Sequence, residues 1–184
     1  MKKYIATLGA EVIGSAMNNW FVSENRDVFF PIVQKILDLY GIDMLQDDQW
    51  YLHQISLDIF KLINAQNADF HNNLTELGIA YVETARFPYQ INNTRSALMA
   101  LPTIYHLNIR NIPQTEGYQV SQLTNGHLQI KDLNPFPHDT VYGFIWGITK
   151  RFRASKDVVP YIKCTFLNPD DPDSDGAIYD VELD

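Results

Sequence analysis

The spacing of apolar residues changes along the chain from a helical period to strict alternation, and this change constrains the fold more than any other feature. The stretches Tyr118–Leu123 and His127–Leu133 alternate between apolar and polar side chains, and Thr124-Asn125-Gly126 separates them. Asn-Gly between two alternating runs is the strongest short signal for a tight turn between antiparallel strands. The sequence therefore predicts a β-hairpin over this region.

The chain before the hairpin carries apolar residues at helical spacing, in segments bounded by helix-capping and helix-breaking residues. This pattern predicts about five helices. They cover residues 4–22; the segment that Ser23 caps and Gly41 ends; the segment that Asp47 or Asp48 opens, through Ile63; the segment from Asp69 to Phe87-Pro88; and the segment that Asn92 or Asn93 opens, through Ile109, which Pro102 should bend.

The chain after the hairpin contains one more helical pattern and two more alternating ones. Residues 138–152 have helical spacing, while Val158–Leu167 and Ala177–Leu183 read as strands joined by an acidic turn. Helices followed by strands and a single late helix predict an α+β fold. We expect that helix to pack on a roughly four-stranded antiparallel sheet.

The domain organisation follows from the absence of repeats and of any linker rich in Pro, Gly or Ser. We expect a single domain over residues 1–184. Within it, residues 1–92 are mainly helical, and residues 93–184 contain the helix that carries His106, followed by the sheet.

Composition excludes several classes of protein. The chain has 184 residues, 46% of them hydrophobic, which is enough apolar material for a core. The formal net charge of −8 argues against nucleic acid or an anionic membrane as the main partner, because both require a clustered positive surface. Cys164 is the single cysteine, so one chain can form neither a disulfide nor a cysteine-based zinc site. Without an apolar run of membrane-spanning length, we expect a soluble cytoplasmic protein.

The acidic turn matches a calcium-loop pattern. Asp171, Asp173, Asp175 and Glu182, with Gly176 between them, fit the spacing D-x-D-x-D-G-x5-E. The predicted strands on both sides differ from the two helices that such a loop needs. A solvated hairpin turn rich in Asp, Pro and Gly is the alternative.

The histidines do not form a metalloprotease or nucleophile motif, and nothing in the sequence argues for an enzyme. His53 is expected on a helix surface, His71 in the first turn of its helix and His138 at a helix start. His106 differs because it lies late on the fifth predicted helix, on a mostly apolar face. A neutral imidazole on such a face can ligate haem iron. The alternative is a half-buried histidine that is bonded to a backbone carbonyl.

Four segments in collinear order resemble the haem nitric oxide/oxygen-binding family, the H-NOX domains. The resemblance spans nearly the whole chain. The first segment, Leu74–Gly78 continuing to Phe87-Pro88, resembles a family helix that contains a glycine and ends in an aromatic residue and proline. The second, Ala97–His106, resembles the helix that carries the proximal haem histidine, and the loop Ile112-Pro113-Gln114 resembles the loop after it. The fourth, Val141–Phe152, resembles the late helix of the family, with its glycines and its Lys/Arg-Phe end.

The resemblance implies a sensor function. It implies that His106 is the proximal ligand of haem b iron. It also implies that nitric oxide or oxygen binds the iron on the opposite side of the haem, in an apolar pocket. Ile5 and Thr140 fall near positions that line this distal pocket, with ordinary core packing as the alternative for each. A stand-alone domain of this kind would signal in trans to a kinase or a cyclase.

The sequence departs from the family at the motif that holds the haem propionates, Y-x-S-x-R. The equivalent stretch, residues 129–136, lacks Tyr, Ser and Arg in either plausible register. Asp132 would repel a propionate, and Lys131 should face the opposite side of the strand. Two hypotheses therefore stand together. One is a haem-based gas sensor. The other is a haem-free member of the fold, akin to the vinyl-reductase-type sensory domains, that binds another small apolar ligand or acts as a protein-interaction module.

Overall fold

The computed structural model describes residues 2–65, 71–154 and 159–183. Asp69, which was expected to open a helix, and Val158, which was expected to open a strand, lie outside these residues. The side chain of His71 is also outside the described part of the chain.

The N-terminal region forms a strand and short helices where one helix over residues 4–22 was predicted, so that prediction is wrong. The elements are β1 (Glu11–Ile13), α1 (Gly14–Met17), α2 (Asn19–Val22) and the longer α3 (Arg26–Leu39). Tyr4 and Gly9 have φ angles of 63° and 77°, which lie in the left-handed region and interrupt a right-handed helix. The β-branched pair Val12 and Ile13 favours the strand that follows.

A small sheet joins three parts of the chain that are far apart in sequence. The strand β2 (Trp50–Leu52), which precedes helix α4 (His53–Asn64), and the strand β3 (Ile109–Arg110) both pair with β1 in antiparallel fashion. Residues 50–52 and Ile109 were predicted to be helical. Strands of two or three residues are too short to show a period in the sequence.

The next helices are α5 (His71–Thr84), α6 (Thr94–Met99) and α7 (Leu101–Asn108). Asn93 caps α6 as one of the two predicted openers, because its side chain accepts a hydrogen bond from the Ser96 backbone. At Pro102, where a bend was predicted, the helix is instead broken, and α7 begins one residue before this proline. A helix tolerates proline without distortion only in its first turn. The first and fifth predicted helices are thus each divided, and the described residues contain seven helices before the hairpin.

The hairpin and the second sheet confirm the α+β fold class. The elements are β4 (Gly117–Gln122), β5 (His127–Leu133), α8 (His138–Phe152), β6 (Tyr161–Phe166) and β7 (Ala177–Glu182). The four strands are antiparallel and lie in the order β4-β5-β7-β6. Helix α8 packs mainly against α5, and its start contacts the sheet, where the Tyr179 hydroxyl donates to the His138 carbonyl at 3.1 Å.

Helices α5 and α8 approach each other to backbone contact. A Cβ atom at Gly78 would overlap the backbone of Thr140, and one at Gly143 would overlap the backbone of Thr75. Glycine is required at both positions because any side chain would force the helices apart. One consequence is that the N-terminal helical part and the late helix share a continuous core.

Strand β5 turns one face towards this core. Leu128, Ile130 and Asp132 alternate along it and are all fully buried, while Gln129 and Lys131 lie on the other face.

Among the described residues, no helix is long and apolar enough to cross a membrane.

Candidate ligand-binding site

Helix α7 presents Tyr105, and not His106, to the interior of the molecule. The buried residues of this helix follow the spacing i, i+3, i+4 and i+7: Leu101, Ile104, Tyr105 and Asn108. His106 comes one residue after Tyr105, so its side chain is rotated by about 100° from the buried stripe. His106 therefore lies towards the outer face of α7, where the neighbouring Leu107 is 40% exposed. The helical face that His106 was expected to share with Met99 is interrupted, because Met99 belongs to α6.

The half-buried His106 lies in an open surface groove of about 330 Å³. Its ring meets the Tyr105 ring edge-on, with the centroids 5.8 Å apart. The groove is lined by Pro102, Thr103, His106, Leu107 and Gln114. This geometry leaves the imidazole within reach of a molecule arriving from solvent.

A separate cavity lies inside the protein, where α5, α7, β4 and α8 meet. Its volume is about 20 Å³, which is room for about one water molecule. None of the side chains on its wall is charged. They are Tyr81, Ile104, Tyr105, Asn108, Ile109, Tyr118, Phe136, Thr140, Val141 and Phe144.

Two residues on this wall carry hydroxyl groups that are not hydrogen-bonded. The hydroxyl oxygens of Tyr81 and Thr140 are buried and have no partner among the described residues. A buried polar group without a partner costs about 1–3 kcal/mol of stability. Burial also raises the pKa of Tyr81, so its hydroxyl stays protonated and can both donate and accept a hydrogen bond.

Tyr105, in contrast, is held firmly on the same wall. Its hydroxyl donates to a carboxylate oxygen of Glu116 at 2.8 Å, and Thr7 donates to the other oxygen at 2.5 Å. Burial and the neighbouring Glu116 both raise the pKa of Tyr105. Gly117 has a φ of 116°, and a Cβ atom there would lie 2.6 Å from the Tyr105 ring. The ring therefore has a fixed place beside the cavity.

Phe136 is the centre of an aromatic cluster next to the cavity. Its ring meets the rings of His53, Phe60, Tyr81 and Tyr105 edge-on, with centroids between 5.1 and 6.4 Å apart. Such edge-to-face contacts are the favoured geometry for aromatic pairs. The Phe136 backbone N–H donates to the Asn134 side chain at 2.9 Å, whereas its ring is held by packing alone.

His53 lies on the other side of the Phe136 ring and is fully buried, so its expected place on a helix surface is wrong. The reason is that the His53 backbone N–H donates to the Ala10 carbonyl at 2.9 Å, and this hydrogen bond holds the start of α4 against the N-terminal segment. Neither ring nitrogen has a hydrogen-bond partner in the described part of the chain. Burial lowers the pKa of His53 to about 3, so the imidazole is neutral.

A buried ion pair occupies the end of β5. The Lys3 ammonium donates to the Asp132 carboxylate at 2.6 Å and to the Asn134 carbonyl at 2.9 Å, and both charged side chains are 0% exposed. The other Asp132 oxygen accepts from the Asn134 backbone at 3.0 Å. His138 completes the cluster, with its Nδ1 3.6 Å from Asp132.

Comparison with known proteins places this arrangement in a known fold. No known family profile and no curated protein matches the sequence. Solved structures do match over most of both chains. An H-NOX protein from S. oneidensis in the Fe(II)NO state has a TM-score of 0.63 at 12% identity, covering 94% of this chain and 99% of that one. An oxygen-binding H-NOX domain related to soluble guanylate cyclases gives 0.59 at 14%, covering 91% and 92%.

The chain has the H-NOX fold. A mutant H-NOX protein from K. algicida in the Fe(II) unliganded state gives a further match, with a TM-score of 0.63, 10% identity, and coverage of 94% of this chain and 96% of that one. The fold resemblance expected from the four sequence segments is thus confirmed.

The residues on this H-NOX fold do not fit haem. The interior cavity has about 20 Å³, room for about one water molecule, which is far smaller than a porphyrin. Tyr105 and Phe136 fill the space next to it, and His106 lies in the surface groove and does not line the cavity. A porphyrin would require these rings to leave the core.

The residues at the propionate motif do not fit haem either. A propionate is held by cations that are free to bind it. Here the Lys3 ammonium already neutralises Asp132, and Lys131 lies on the outer face of β5, as the strand alternation predicted.

The two residues expected to line a distal pocket have different places. Thr140 is buried and lines the interior cavity. Ile5 is 51% exposed and does not line it. The left-handed turn at Tyr4, which follows the buried Lys3, leaves Ile5 on the outside of the fold.

The structure separates the residues of the calcium-like turn. Residues 172–174 form a short 3-10 turn, while Glu182 ends strand β7. A strand rises about 3.3 Å per residue, so six residues carry Glu182 away from Asp171, Asp173 and Asp175. Within the described ranges, no group of three or more His, Cys, Asp or Glu residues could hold a metal ion.

Sequence reasoning missed Tyr81, Phe136 and His53. Tyr81 occupies an apolar position of a helical stripe, so it reads as ordinary core. Phe136 stands between two prolines, a signal of a rigid turn that could have drawn attention to it. His53 follows a strand too short to be recognised, so no local signal indicated its burial.

Proposed function

We propose that this chain is a sensory domain that binds a small, neutral, largely apolar ligand inside the H-NOX fold, without haem. The observation that carries the proposal is the interior cavity, whose wall has no charged residue but has two buried hydroxyl groups, of Tyr81 and Thr140, without partners. Buried polar groups are nearly always hydrogen-bonded, so two unpartnered hydroxyl groups on one cavity wall offer hydrogen bonds to a molecule inside it.

The position of the cavity suits a sensor. Its wall is built from α5, α7, β4 and α8, so a bound molecule contacts both the helical part and the sheet. A ligand that binds one packing of these elements better than another shifts the population between them. We expect a protein partner to read this shift in trans.

Titration with hemin tests the proposal. We expect broad, non-stoichiometric absorption and no sharp Soret band, and the same spectrum for His106→Ala. A one-to-one Soret band that His106→Ala abolishes, in a variant whose circular dichroism is unchanged, would overturn the proposal.

A haem-dependent sensor of nitric oxide or oxygen, signalling to a kinase or cyclase, is the second candidate. The observation that favours it is the accessible imidazole of His106 in its surface groove. The same hemin titration decides between the two candidates, because only the second predicts a band that depends on His106.

A further inference from the structure

Three of the buried side chains with unpartnered polar atoms lie around the ring of Phe136 or the cavity that it lines. Tyr81 and Thr140 line the cavity on one side of Phe136, and His53 contacts its ring from another direction with centroids 5.1 Å apart. Phe136 also contacts Tyr81, with centroids 6.0 Å apart. A single phenyl ring therefore contacts two side chains, His53 and Tyr81, whose polar atoms lack hydrogen bonds within the described ranges.

One buried water does not account for this arrangement. The cavity has room for about one water, which could bond the hydroxyls of Tyr81 and Thr140. It would not serve His53, which contacts the Phe136 ring but is not among the residues that line the cavity. A molecule in the place of the Phe136 ring would reach the imidazole as well as the cavity.

We propose that Phe136 is a displaceable plug, and that the space of its ring is a binding site for a neutral aromatic molecule with hydrogen-bonding groups at both ends. Tyr81 and Thr140 bind one end, and His53 binds the other. This inference rests on the proposed function and specifies its ligand. Phe136 suits the role because its ring is held by packing alone, whereas Tyr105 beside it is tethered to Glu116.

The chemistry of the walls selects this class of ligand. The rings around Phe136 already meet it edge-on, so they would receive another flat ring in the same way. The absence of charge on the cavity wall disfavours an ion, because the desolvation of an ion would not be compensated. The neutral imidazole of His53 offers one donor and one acceptor.

Calorimetric titration with three matched probes tests the inference on the full chain and on Phe136→Ala. Resorcinol has a hydroxyl at two ring positions, m-xylene has the same shape without hydrogen bonding, and benzoate is charged. We expect Phe136→Ala to bind resorcinol at least about tenfold more tightly than the unaltered chain, because the site no longer has to open. We also expect it to prefer resorcinol over both other probes by about tenfold or more.

Phe144→Ala is the matched control, because Phe144 is a buried aromatic residue on the same cavity wall and is not in ring contact with His53. Phe144→Ala should not show the tenfold gain in resorcinol affinity, because Phe136 still fills the site in that variant. Adding His53→Phe should weaken resorcinol binding to Phe136→Ala by about tenfold. In the unaltered chain, resorcinol should shift the NMR signals of the His53 ring.

Two results would overturn the inference. One is that Phe136→Ala binds m-xylene as tightly as resorcinol, and the other is that His53→Phe has no effect on it. Either would make the space a plain packing void. If Phe136→Ala does not fold, Phe136→Leu carries the same series. If these results overturn the inference but another small molecule binds, the proposed function still stands. A haem absorption band that depends on His106 would overturn both the inference and the proposed function.

Discussion

Two buried polar regions lie close to the end of β5 and differ in how their polar atoms are paired. One is the cluster of Lys3, Asp132, Asn134 and His138, called here the Lys3 cluster, and the other surrounds Phe136. In the Lys3 cluster, both carboxylate oxygens of Asp132 accept hydrogen bonds and the opposing charges meet at 2.6 Å. Around Phe136, the polar atoms of Tyr81, Thr140 and His53 have no partners among the described residues. The charges of the first region are paired, although the Asn134 amide nitrogen and Nδ1 of His138 within it also lack hydrogen-bond partners in the part of the chain that the structure describes. We infer that the first region maintains the fold, while the neutral second region offers hydrogen bonds to a ligand.

Removal of Lys3 should have the largest effect, because it leaves the Asp132 carboxylate buried without a counter-charge. We expect Lys3→Ala to lower the free energy of unfolding by about 3–5 kcal/mol, measured by urea denaturation. The paired change Lys3→Met with Asp132→Leu should restore most of it. Arg110→Ala is the control, since the Arg110–Glu11 pair is partly exposed and should contribute about 1 kcal/mol or less.

Acid should destabilise the Phe136 region next, through His53. Its folded-state pKa of about 3 is below the usual 6.5, so the unfolded chain binds the proton first as the pH falls. The stability from neutral His53 is complete above about pH 6.5 and is lost on descent towards about pH 3. Between about pH 7 and about pH 4.5 the loss should be about 3 kcal/mol. His53→Phe should flatten this part of the profile, and an unchanged slope would contradict the account.

Removal of the Tyr105 hydroxyl should have a smaller effect. Tyr105→Phe takes a donor from the buried carboxylate of Glu116, leaving Thr7 as its remaining described partner. We expect a loss of about 1–3 kcal/mol in the free energy of unfolding. A loss below about 0.5 kcal/mol would show that the buried carboxylate finds another donor.

The same change at Tyr81 should have the smallest effect, and in the opposite direction. Tyr81→Phe and Thr140→Val remove hydroxyl groups that have no partners, so stability should stay unchanged or rise by up to about 1 kcal/mol. Thermal melting of Tyr81→Phe and Tyr105→Phe under the same conditions compares the loss of an unpartnered tyrosine hydroxyl with the loss of a hydrogen-bonded one. Destabilisation of Tyr81→Phe equal to that of Tyr105→Phe would remove the distinction between the two regions.

The parts of the fold that the sequence predicted are the long periodic ones. The helix His138–Phe152 and the hairpin strands were predicted within a residue or two, because each displays several repeats of its period. The small β1–β2–β3 sheet was missed, because its pairing of Val12 with Tyr51 and Ile109 is set by tertiary contacts alone.

The site was less accessible to prediction. The resemblance pointed to His106 and Thr140, and the structure places Thr140 at the cavity and His106 on the outer face of α7. A periodic pattern shows which residues share a face, but it does not show whether a buried hydroxyl finds a partner. That depends on residues far apart in sequence, such as His53 and Phe136. The haem assignment of His106 stays a prediction.

The glycine-mediated contact between α5 and α8 has a mechanical consequence. Backbone packed against backbone has no side chains that can rearrange, so Tyr81 on one helix and Thr140 on the other are carried by a single stiff body. A molecule bound to their hydroxyls would therefore displace the rest of the wall, where the Phe136 ring is held by packing alone and Tyr105 of helix α7 is tethered to Glu116. Helix α7 carries the groove with His106 on its outer surface, and there we expect the effect of binding to reach the exterior.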